Sequence, residues 1–324
     1  MKKIKFDEFK FTQRKDTIIG VDKTGDFLMK IQAVPNPRKE QTLEGEYKII
    51  ESLNKKGCQS CPKVYEFGTI TKEEISSKID DKDTLNSIEA SEFQCIIQEF
   101  VPHNKDYSLS DVVLSLLEQQ SLGVYHGDIK PANIRFDAKK GICCFIDYDQ
   151  SFELSEEQKK LSNEDFLAFC SKHDKDKYGM GDWLRHFPQY TQADLPPLFH
   201  EGAFNLATTT VFKTQVTTNS KTGIYHSLQT DRLFIQGSRG VNIRAAALND
   251  VQFRSNEKVL DVGCNMGLLS WYLEDRGCNV TGVDNDPHII VGTTMVSNIL
   301  GKKSDFSYVD LDDVSKLNKF DTIM

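Results

Sequence analysis

The chain has 324 residues, of which 39% are hydrophobic and 27% charged, so it is long enough for two globular domains and is neither disordered nor fibrous. Its formal net charge of -8 argues against a nucleic-acid partner held mainly by a basic surface. We expect no signal peptide and no transmembrane helix, because no apolar run has the required length or position.

The N-terminal part of the chain is predicted to contain short strands around one helix. Alternation of apolar and polar positions predicts strands at Lys5–Phe11, Thr17–Val21, Phe27–Gln32, 64–68 and 93–101. Helical spacing of apolar residues predicts a helix over 40–54, and a serine-capped apolar segment predicts another over 108–122. The polar stretch 71–92 is typical of a surface insertion or a long hairpin.

The eight cysteines are scattered without a repeated spacing, which favours reduced thiols and a cytoplasmic location. Cys58 and Cys61 form a single C-x-x-C motif. A zinc site needs about four ligands and no matching second pair follows. A loop between a helix and a strand is therefore favoured here over a metal or redox site.

The sharpest motif is the octapeptide HGDIKPAN at residues 126–133. Asp128 precedes Lys130 by two residues and Asn133 by five. This spacing suits phosphoryl transfer, because a carboxylate accepts a hydroxyl proton while a nearby amide oxygen binds a metal ion and a lysine offsets the phosphate charge. We expect His126 to pack beneath the loop rather than to carry a proton.

Further residues suited to the same chemistry occur in a fixed order around this loop. An apolar run ends at Asp147 in the sequence IDYD, and Lys30 lies in the predicted strand FLMKIQ. Glu46 is the preferred ion-pair partner of Lys30, with Glu44 as the alternative because the helix register is open by one turn. Each residue alone is typical of a solvated surface, but their order around Asp128 favours a functional set.

This constellation resembles that of protein kinases, and the resemblance covers roughly residues 5–200. It implies a two-lobed α+β domain that uses ATP and Mg²⁺, with Asp128 and Lys130 as catalytic residues. It also implies that Asn133 and Asp147 hold the metal ion.

The same resemblance implies a nucleotide site. Lys30 and Glu46 would serve the ATP phosphates, and the backbone of the apparent hinge, at Glu99 and Val101, would bind adenine. Asp176 resembles the helical aspartate that braces the catalytic loop of kinases.

Several features of kinases are missing from the chain. The first hairpin has no G-x-G-x-x-G, so Arg14 or Lys15 is a candidate to cover the phosphates. Tyr148 and Asp149 replace the last two residues of D-F-G, and there is no A-P-E. The short segment after Asp147 resembles small-molecule and lipopolysaccharide kinases, which favours a glycan or small-molecule acceptor. A pseudokinase that acts as a binding module and a protein Ser/Thr kinase remain the alternatives.

From Lys258 the pattern changes to strand, glycine turn, helix and strand, which predicts a βαβ unit. The sequence VLDVGCNMG ends a strand in small residues that let the backbone approach a ligand. Asp284 closes the next strand about twenty residues on, where a carboxylate can accept ribose hydroxyls. A nicotinamide-binding fold is the rival, although it prefers G-x-G-x-x-G.

This second constellation resembles the class I methyltransferases that use S-adenosylmethionine (SAM), which implies an α/β Rossmann-like domain. The residues that the resemblance assigns to SAM binding are Asp261, Gly263, Cys264, Gly267, Asp284 and Asp310.

The predicted organisation is a kinase-like domain over 1–200, a linker with a methyltransferase cap over 201–250, and a methyltransferase domain over 251–324. Arg239 and Arg244 in the cap are candidates for binding an anionic substrate or for surface salt bridges. The sequence ends within the predicted fourth strand, so we expect an incomplete domain that binds SAM weakly. This domain content resembles the bifunctional enzymes that phosphorylate and methylate O-antigen chain ends, although their methyltransferase comes first.

Overall fold

The computed structural model describes part of the chain in detail. The described residues are 9–14, 17–34, 42–76, 90, 92–104, 106–178, 204–213, 224, 226–237, 242–317 and 319–324. Among them, the structure contains no helix with both the length and the apolar character needed to cross a membrane.

An antiparallel sheet of five strands forms the first part of the fold, in the order β1-β2-β3-β5-β4. The strands are β1 (Phe9–Arg14), β2 (Thr17–Asp22), β3 (Phe27–Val34), β4 (Val64–Thr71) and β5 (Glu92–Glu99). All five predicted strands are found; the first continues to Arg14, and the part of it predicted over residues 5–8 lies outside the described residues. Part of the predicted insertion is the short helix α2 (Lys72–Ser76), and residues 77–89 and 91 lie outside the described residues.

The predicted helix over 40–54 is confirmed as α1 (Leu43–Lys55). Thr42 caps its N-terminus by accepting a hydrogen bond from the Gly45 amide at 3.3 Å. Its buried face consists of Leu43, Glu46, Ile50 and Leu53, so a carboxylate stands within an apolar stripe. This helix packs on β4 and β5 and presents Glu46 to the strand that carries Lys30.

The second predicted helix is confirmed as α3 (Leu109–Ser121), whose residues are almost all buried. Ser108 and Asp111 form a capping box at its N-terminus. The elements that follow are β6 (Val124–Tyr125), β7 (Ile134–Asp137), β8 (Ile142–Phe145), β9 (Phe152–Glu153), α4 (Glu156–Lys159) and α5 (Asn163–Tyr178). The antiparallel pairs β6–β9 and β7–β8 hold both ends of the predicted catalytic loop.

The described residues between 204 and 247 form β10 (Phe204–Asn205), β11 (Leu228–Gln229), β12 (Leu233–Ile235) and α6 (Asn242–Ala247). The Thr210 amide donates to the Asp111 carboxylate at 2.6 Å, and Arg232 donates to Gln120 at 2.5 Å. This part of the predicted linker and cap therefore packs directly against α3.

A parallel sheet in the order β15-β14-β13-β16 forms the last part of the fold. Its elements are β13 (Lys258–Val262), α7 (Leu268–Glu274), β14 (Asn279–Asp284), α8 (Pro287–Leu300), β15 (Asp305–Tyr308) and β16 (Thr322–Ile323). The predicted βαβ unit is confirmed, and its parallel strands direct the chemistry-bearing residues to one edge.

Helix α8 joins the two halves, because it packs on α3 as well as on the parallel sheet. Its residues Met295, Val296 and Ile299 belong to the same apolar cluster as the core of α3. Asn298 donates from Nδ2 to the carboxylate of Glu118, a fully buried residue of α3, at 2.9 Å. A buried carboxylate requires such donors, so this polar contact links the two helices within the core.

Cys58 and Cys61 lie in the loop between α1 and β4, as the sequence predicts. Both thiols are free and buried, and Asn54 donates to the Cys61 sulfur at 3.2 Å. In the described part of the chain, no group of three or more metal-binding side chains forms around this pair.

Candidate active site

Lys30 on β3 is held by two carboxylates. Its Nζ lies 2.7 Å from Oε2 of Glu46 and 2.5 Å from Oδ1 of Asp147. Burial alone would lower the pKa of Lys30, but the carboxylates of Glu46 and Asp147 raise the pKa above its ordinary value. The side chain therefore stays charged in the interior.

These contacts also show which glutamate of α1 faces Lys30. Glu46 is 1% exposed and pairs with Lys30, whereas Glu44 forms an exposed pair with Lys48 at 2.6 Å. The partner preferred from the sequence is thus the one that the structure brings to the lysine.

The predicted catalytic loop brings Asp128, Lys130 and Asn133 together. Asn133 Nδ2 donates to Oδ2 of Asp128 at 2.8 Å and to its main-chain oxygen at 3.0 Å. Lys130 Nζ lies 2.8 Å from the same Oδ2. Asp128 is 4% exposed, and its other oxygen, Oδ1, is buried without a hydrogen-bond partner. A buried acceptor of this kind suits a group that arrives from outside the chain, such as a hydroxyl proton or a cation.

A close backbone approach explains the glycine that precedes Asp128. Gly127 has a φ of 75°, and a Cβ there would lie 2.1 Å from the main-chain oxygen of Gln150. The loop that carries Asp128 and the segment after Asp147 therefore meet at a distance that only glycine permits.

His126 supports the loop, as the sequence predicts. Its ring is fully buried, and because a carbonyl only accepts, Nε2 donates to the Ile146 oxygen at 3.0 Å. Burial lowers the pKa of His126, so the ring is neutral. Its ring packs against that of Tyr148 in a T-shaped arrangement, with the centroids 4.5 Å apart.

The IDYD segment is fixed by its tyrosine. The Tyr148 amide donates to Glu46 at 3.3 Å, and the phenol oxygen accepts from Gln119 Nε2 at 2.7 Å. Tyr148 is fully buried, so its hydroxyl needs this partner. Asp147 adopts a φ of 68°, a conformation that is costly for a residue other than glycine and that directs its carboxylate to Lys30.

Asp149 is a residue that the sequence interpretation missed. It was treated only as the replacement of a glycine, but oxygen atoms of Asp128, Asp147 and Asp149 all lie within 4.8 Å of one another. Asp149 is buried like Asp128. The sequence signal for this residue is its spacing from Asp147, since two aspartates separated by one residue place both carboxylates on the same loop. The cluster fits a hard divalent cation, whose preferred ligands are carboxylate and amide oxygens.

The predicted adenine hinge begins at the end of β5. The Glu99 amide donates to the Lys63 oxygen at 2.7 Å, and its carboxylate pairs with Lys140 at 3.2 Å. Val101 follows as a buried residue. Nucleotide contacts by the main chain of Glu99 and Val101 stay a prediction, although the Glu99 amide is already engaged within the protein.

Some of the predicted residues cannot be placed in the site. Lys15 and Arg239, with the side chains of Arg14, Asp176 and Arg244, lie outside the described residues.

In the second half, the glycine turn after β13 lies against β14. The amides of Gly263 and Cys264 both donate to the Val283 oxygen, at 2.8 and 3.0 Å. They are therefore used within the protein. The space above Gly263 is open, since a Cβ there would meet no atom within 4 Å. The thiol of Cys264 is buried, and burial raises its pKa, so it is a neutral part of the turn.

The acidic residues of this half are supported by backbone and hydroxyl donors. Asp284 accepts from the amides of Asn265 at 3.0 Å and Asp286 at 3.1 Å, one at each carboxylate oxygen. Asp261 is buried and accepts from the Ser270 hydroxyl at 2.6 Å. These contacts orient both carboxylates at the carboxyl ends of parallel strands.

Gly267 and Asp310 occupy different environments. A Cβ on Gly267 would lie 2.7 Å from the Phe306 ring and 2.9 Å from Thr293, so this glycine allows close helix packing. Asp310 is exposed after β15 and starts a short 3₁₀ helix.

Asn265 was missed by the sequence interpretation. Its main-chain amide donates to Asp284, and its side-chain oxygen is buried without a hydrogen-bond partner.

Solved structures with local similarity to the chain include SAM-dependent methyltransferases and WbdD. A TehB-like SAM-dependent methyltransferase from Corynebacterium glutamicum is 30% identical, with 24% of this chain and 41% of that chain covered and a TM-score of 0.20. The Trypanosoma brucei PRMT1 enzyme-prozyme complex with AdoHcy is 29% identical, with coverages of 26% and 27% and a TM-score of 0.22. WbdD with the kinase inhibitor LY294002 is 16% identical, with coverages of 59% and 44% and a TM-score of 0.29.

The chain spans less than half the length of each of these proteins. All three TM-scores are below 0.5, so the similarities by themselves assign neither a fold nor an activity to the chain. No family model and no curated protein matches the chain.

Proposed function

We propose that the chain is an ATP- and Mg²⁺-dependent phosphotransferase that acts on a hydroxyl group, fused to a SAM-dependent methyltransferase. The observation that carries the first activity is the pairing of Lys30 with both Glu46 and Asp147 next to the Asp128 loop. The two carboxylates are enough to neutralise Lys30 in the interior. A purely structural ion pair would therefore not require Asp128, with its unpartnered oxygen Oδ1, to lie next to it. These groups together suit binding of phosphate and metal.

Each side chain has a role in the proposed transfer. Lys30 binds the nucleotide phosphates, and Asp128 accepts the proton of the acceptor hydroxyl. The hydroxyl oxygen forms a bond to the γ-phosphorus while the bond from that phosphorus to the β–γ bridging oxygen breaks and ADP leaves. Lys130, 2.8 Å from Asp128, offsets the charge of the phosphoryl group in transfer.

Mg²⁺, when bound, neutralises the phosphate oxygens. Asp147 and Asn133 supply its protein ligands in this proposal. The side-chain nitrogen of Asn133 donates a hydrogen bond to Asp128, so the side-chain oxygen of Asn133 remains as the ligand atom.

The segment after Asp147 favours a glycan or a small-molecule acceptor. It passes through β9 and α4 before α5 begins at Asn163. The Leu154 amide donates to the Gly123 oxygen at 2.9 Å, so the segment is tied to the protein rather than extended as a peptide platform. This supports the small-acceptor reading over the protein Ser/Thr kinase alternative.

The methyltransferase part of the proposal is supported by the βαβ turn. Asp284 is oriented by two amides, beside an open space above Gly263, in the arrangement that suits a ribose and the rest of SAM. Methylation of the same acceptor or of a related one completes the proposal. Because ATP and SAM are both cytoplasmic cosubstrates, the proposal includes a cytoplasmic location.

The phosphotransfer is tested by incubating the whole chain with labelled ATP, Mg²⁺ and three acceptor classes: oligosaccharides, small polyols and a generic protein. We expect label on a sugar or small-molecule hydroxyl, and none with Asp128→Asn. Asp106→Asn, at an exposed residue outside the site, is the matched control. Label on protein alone would favour the protein kinase alternative, and no transfer to any acceptor would favour the pseudokinase.

A further inference from the structure

Gln98 is a buried polar residue to which the proposed function gives no role. It is the last residue but one of β5, directly before Glu99, and it is 5% exposed. Its side-chain oxygen Oε1 is buried and has no hydrogen-bond partner among the described residues. Buried polar atoms normally have partners, so this oxygen needs a donor that arrives with a ligand.

The register of the sheet places Gln98 on the face that carries the side chain of Lys30. In the antiparallel pair β3–β5, Lys30 lies directly opposite Ile96, and Leu28 lies directly opposite Gln98. Residues that lie directly opposite share a face, and so do residues two apart on one strand. Gln98 and Lys30 are therefore diagonal neighbours on one face of the sheet, about 7–8 Å apart.

A second glutamine on the same face shows what a structural role requires. Gln94 lies four residues before Gln98 on β5, and its Oε1 accepts a hydrogen bond from the main-chain amide of Glu44, in the first turn of α1, at 3.2 Å. In its described part, the protein supplies a donor to the oxygen of Gln94 and none to that of Gln98. The two residues share a strand and a face, so the difference singles out Gln98 as the ligand-binding one.

Gln98 lies where the chain leaves the sheet for the predicted adenine hinge. The amides of the next two residues, Glu99 and Phe100, both donate to main-chain oxygens within the protein, at 2.7 and 2.9 Å. The chain then crosses to β7, where the Asn104 oxygen accepts from the Phe136 amide at 3.0 Å. Because those two hinge amides are occupied, a base at this crossover depends more strongly on the side chain of Gln98.

The chemistry of the amide oxygen defines the base that it can bind. This oxygen only accepts hydrogen bonds, so its ligand must present a donor. Adenine carries an exocyclic amino group, which donates, whereas guanine carries a carbonyl oxygen at the same position, which only accepts. The terminal torsion of a glutamine side chain is broad, so the oxygen of Gln98 can turn toward a base at little cost.

We propose that Gln98 is a specificity-determining residue of the nucleotide site, and that its side-chain oxygen accepts a hydrogen bond from the exocyclic amino group of adenine. The inference rests on the nucleotide site of the proposed function and deepens it, because it names the side chain that selects the base. Lys30 and Gln98 then bind the two ends of one nucleotide from the same face of the sheet.

The test is calorimetric titration of the whole chain with three nucleotides in the presence of Mg²⁺. These are ATP, purine riboside triphosphate, which lacks the amino group, and inosine triphosphate, which has a carbonyl oxygen in its place. We expect wild type to bind ATP at least about tenfold more tightly than purine riboside triphosphate, because the buried oxygen then loses its donor. Inosine triphosphate should bind more weakly still, since two oxygens would face each other.

Gln98→Met keeps the length of the side chain and removes the acceptor. The preference for ATP over purine riboside triphosphate should therefore fall at least about fivefold in this variant. Its thermal stability should be no lower than that of wild type, because an unpartnered buried amide is replaced by an apolar group. Gln94→Met is the matched control and should keep the wild-type preference, and thermal unfolding verifies that each variant is folded.

The results separate this inference from the proposed function. Equal binding of ATP and purine riboside triphosphate by wild type, or an unchanged preference in Gln98→Met, would overturn the role of Gln98 and leave the proposed function standing. An equal loss of preference in Gln98→Met and Gln94→Met would also overturn it, because the effect would then belong to the sheet. Absence of ATP binding by folded wild type would overturn both. Loss of the preference in Gln98→Met alone supports the inference.

Discussion

The two candidate sites of this chain hold their carboxylates in different ways. In the N-terminal half, Asp147 and Glu46 are fixed by the buried Lys30, so the site is held together by ion pairs between side chains. In the C-terminal half, Asp284 is fixed by two main-chain amides at a strand end. In the first arrangement, the position of each side chain depends on its charged partners. In the second, the position of the carboxylate depends mainly on the path of the backbone. Substitutions should therefore have larger and more coupled effects in the first site.

The largest effect is expected from Asp128. Asp128→Asn removes the proton acceptor and should reduce phosphotransfer by about 100-fold or more, the range for a positioned acid–base group. ATP binding should change little, because Asp128 does not hold the phosphates in our account. Rates with saturating ATP, compared with those of Asp106→Asn, measure this. An undiminished rate would remove Asp128 from the chemistry.

The buried ion pair gives the next largest effect. Glu46→Ala leaves Lys30 with one partner in the interior and should lower the free energy of unfolding by roughly 3 kcal/mol. Glu44→Ala is the matched control, since it breaks an exposed helical pair worth only about 0.5 kcal/mol or less. Denaturant unfolding of both variants measures the difference. Equal losses would contradict the assignment of Glu46.

The contact between the two halves is expected to contribute less. Glu118 accepts hydrogen bonds from the amides of Gln59 and Ser60 and from Asn298. Asn298→Ala removes one donor from this buried carboxylate and should cost about 1–3 kcal/mol in unfolding free energy. Lys302→Ala, at a surface pair with Asp275, should cost less than about 1 kcal/mol.

A double-mutant cycle sharpens that prediction. Glu118→Ala with Asn298→Ala should show a coupling energy of at least about 0.5 kcal/mol, because the two side chains are hydrogen-bonded to each other. Strict additivity would show that the interface is not maintained in solution.

The smallest effects concern the glycine turn of the second half. Gly263 and Gly267 both have left-handed backbone conformations, with φ values of 71° and 72°. Gly263→Ala should therefore cost about 1 kcal/mol, from the backbone alone. Gly267→Ala should cost more, because its Cβ would also meet Phe306 and Thr293. Thermal unfolding of the two variants compares them, and an equal loss would mean that Phe306 moves away freely.

The sequence predicted the parts of the sites that depend on local spacing. Asp128 and Asn133 are brought together by a five-residue separation within one loop, and the helical period already favours Glu46, which lies three residues after Leu43 and four before Ile50. The strand-end positions of Asp147 and Asp284 follow from apolar runs that stop at an acidic residue.

The remaining features depend on contacts between distant segments and have no periodic signal. Asp149 joins the cluster only because the IDYD loop folds back on Gly127. Glu118 and Asn298 are separated by 180 positions, and neither differs locally from an ordinary helical polar residue. The contacts of Thr210 and Arg232 with α3 likewise have no signal in a stretch that the sequence indicates only as a linker and cap.

The measurement that tests the central claim most directly is calorimetric binding of ATP to the whole chain, with Mg²⁺ and with EDTA. If Lys30, Asp147 and Asn133 form a metal–nucleotide site, ATP binds at least about tenfold more tightly with Mg²⁺, since one charge-assisted contact contributes roughly 1.5 kcal/mol or more. Asp147→Asn should abolish that difference, and Asp106→Asn should preserve it. Equal ATP affinity with Mg²⁺ and with EDTA, unchanged by Asp147→Asn, would contradict the account.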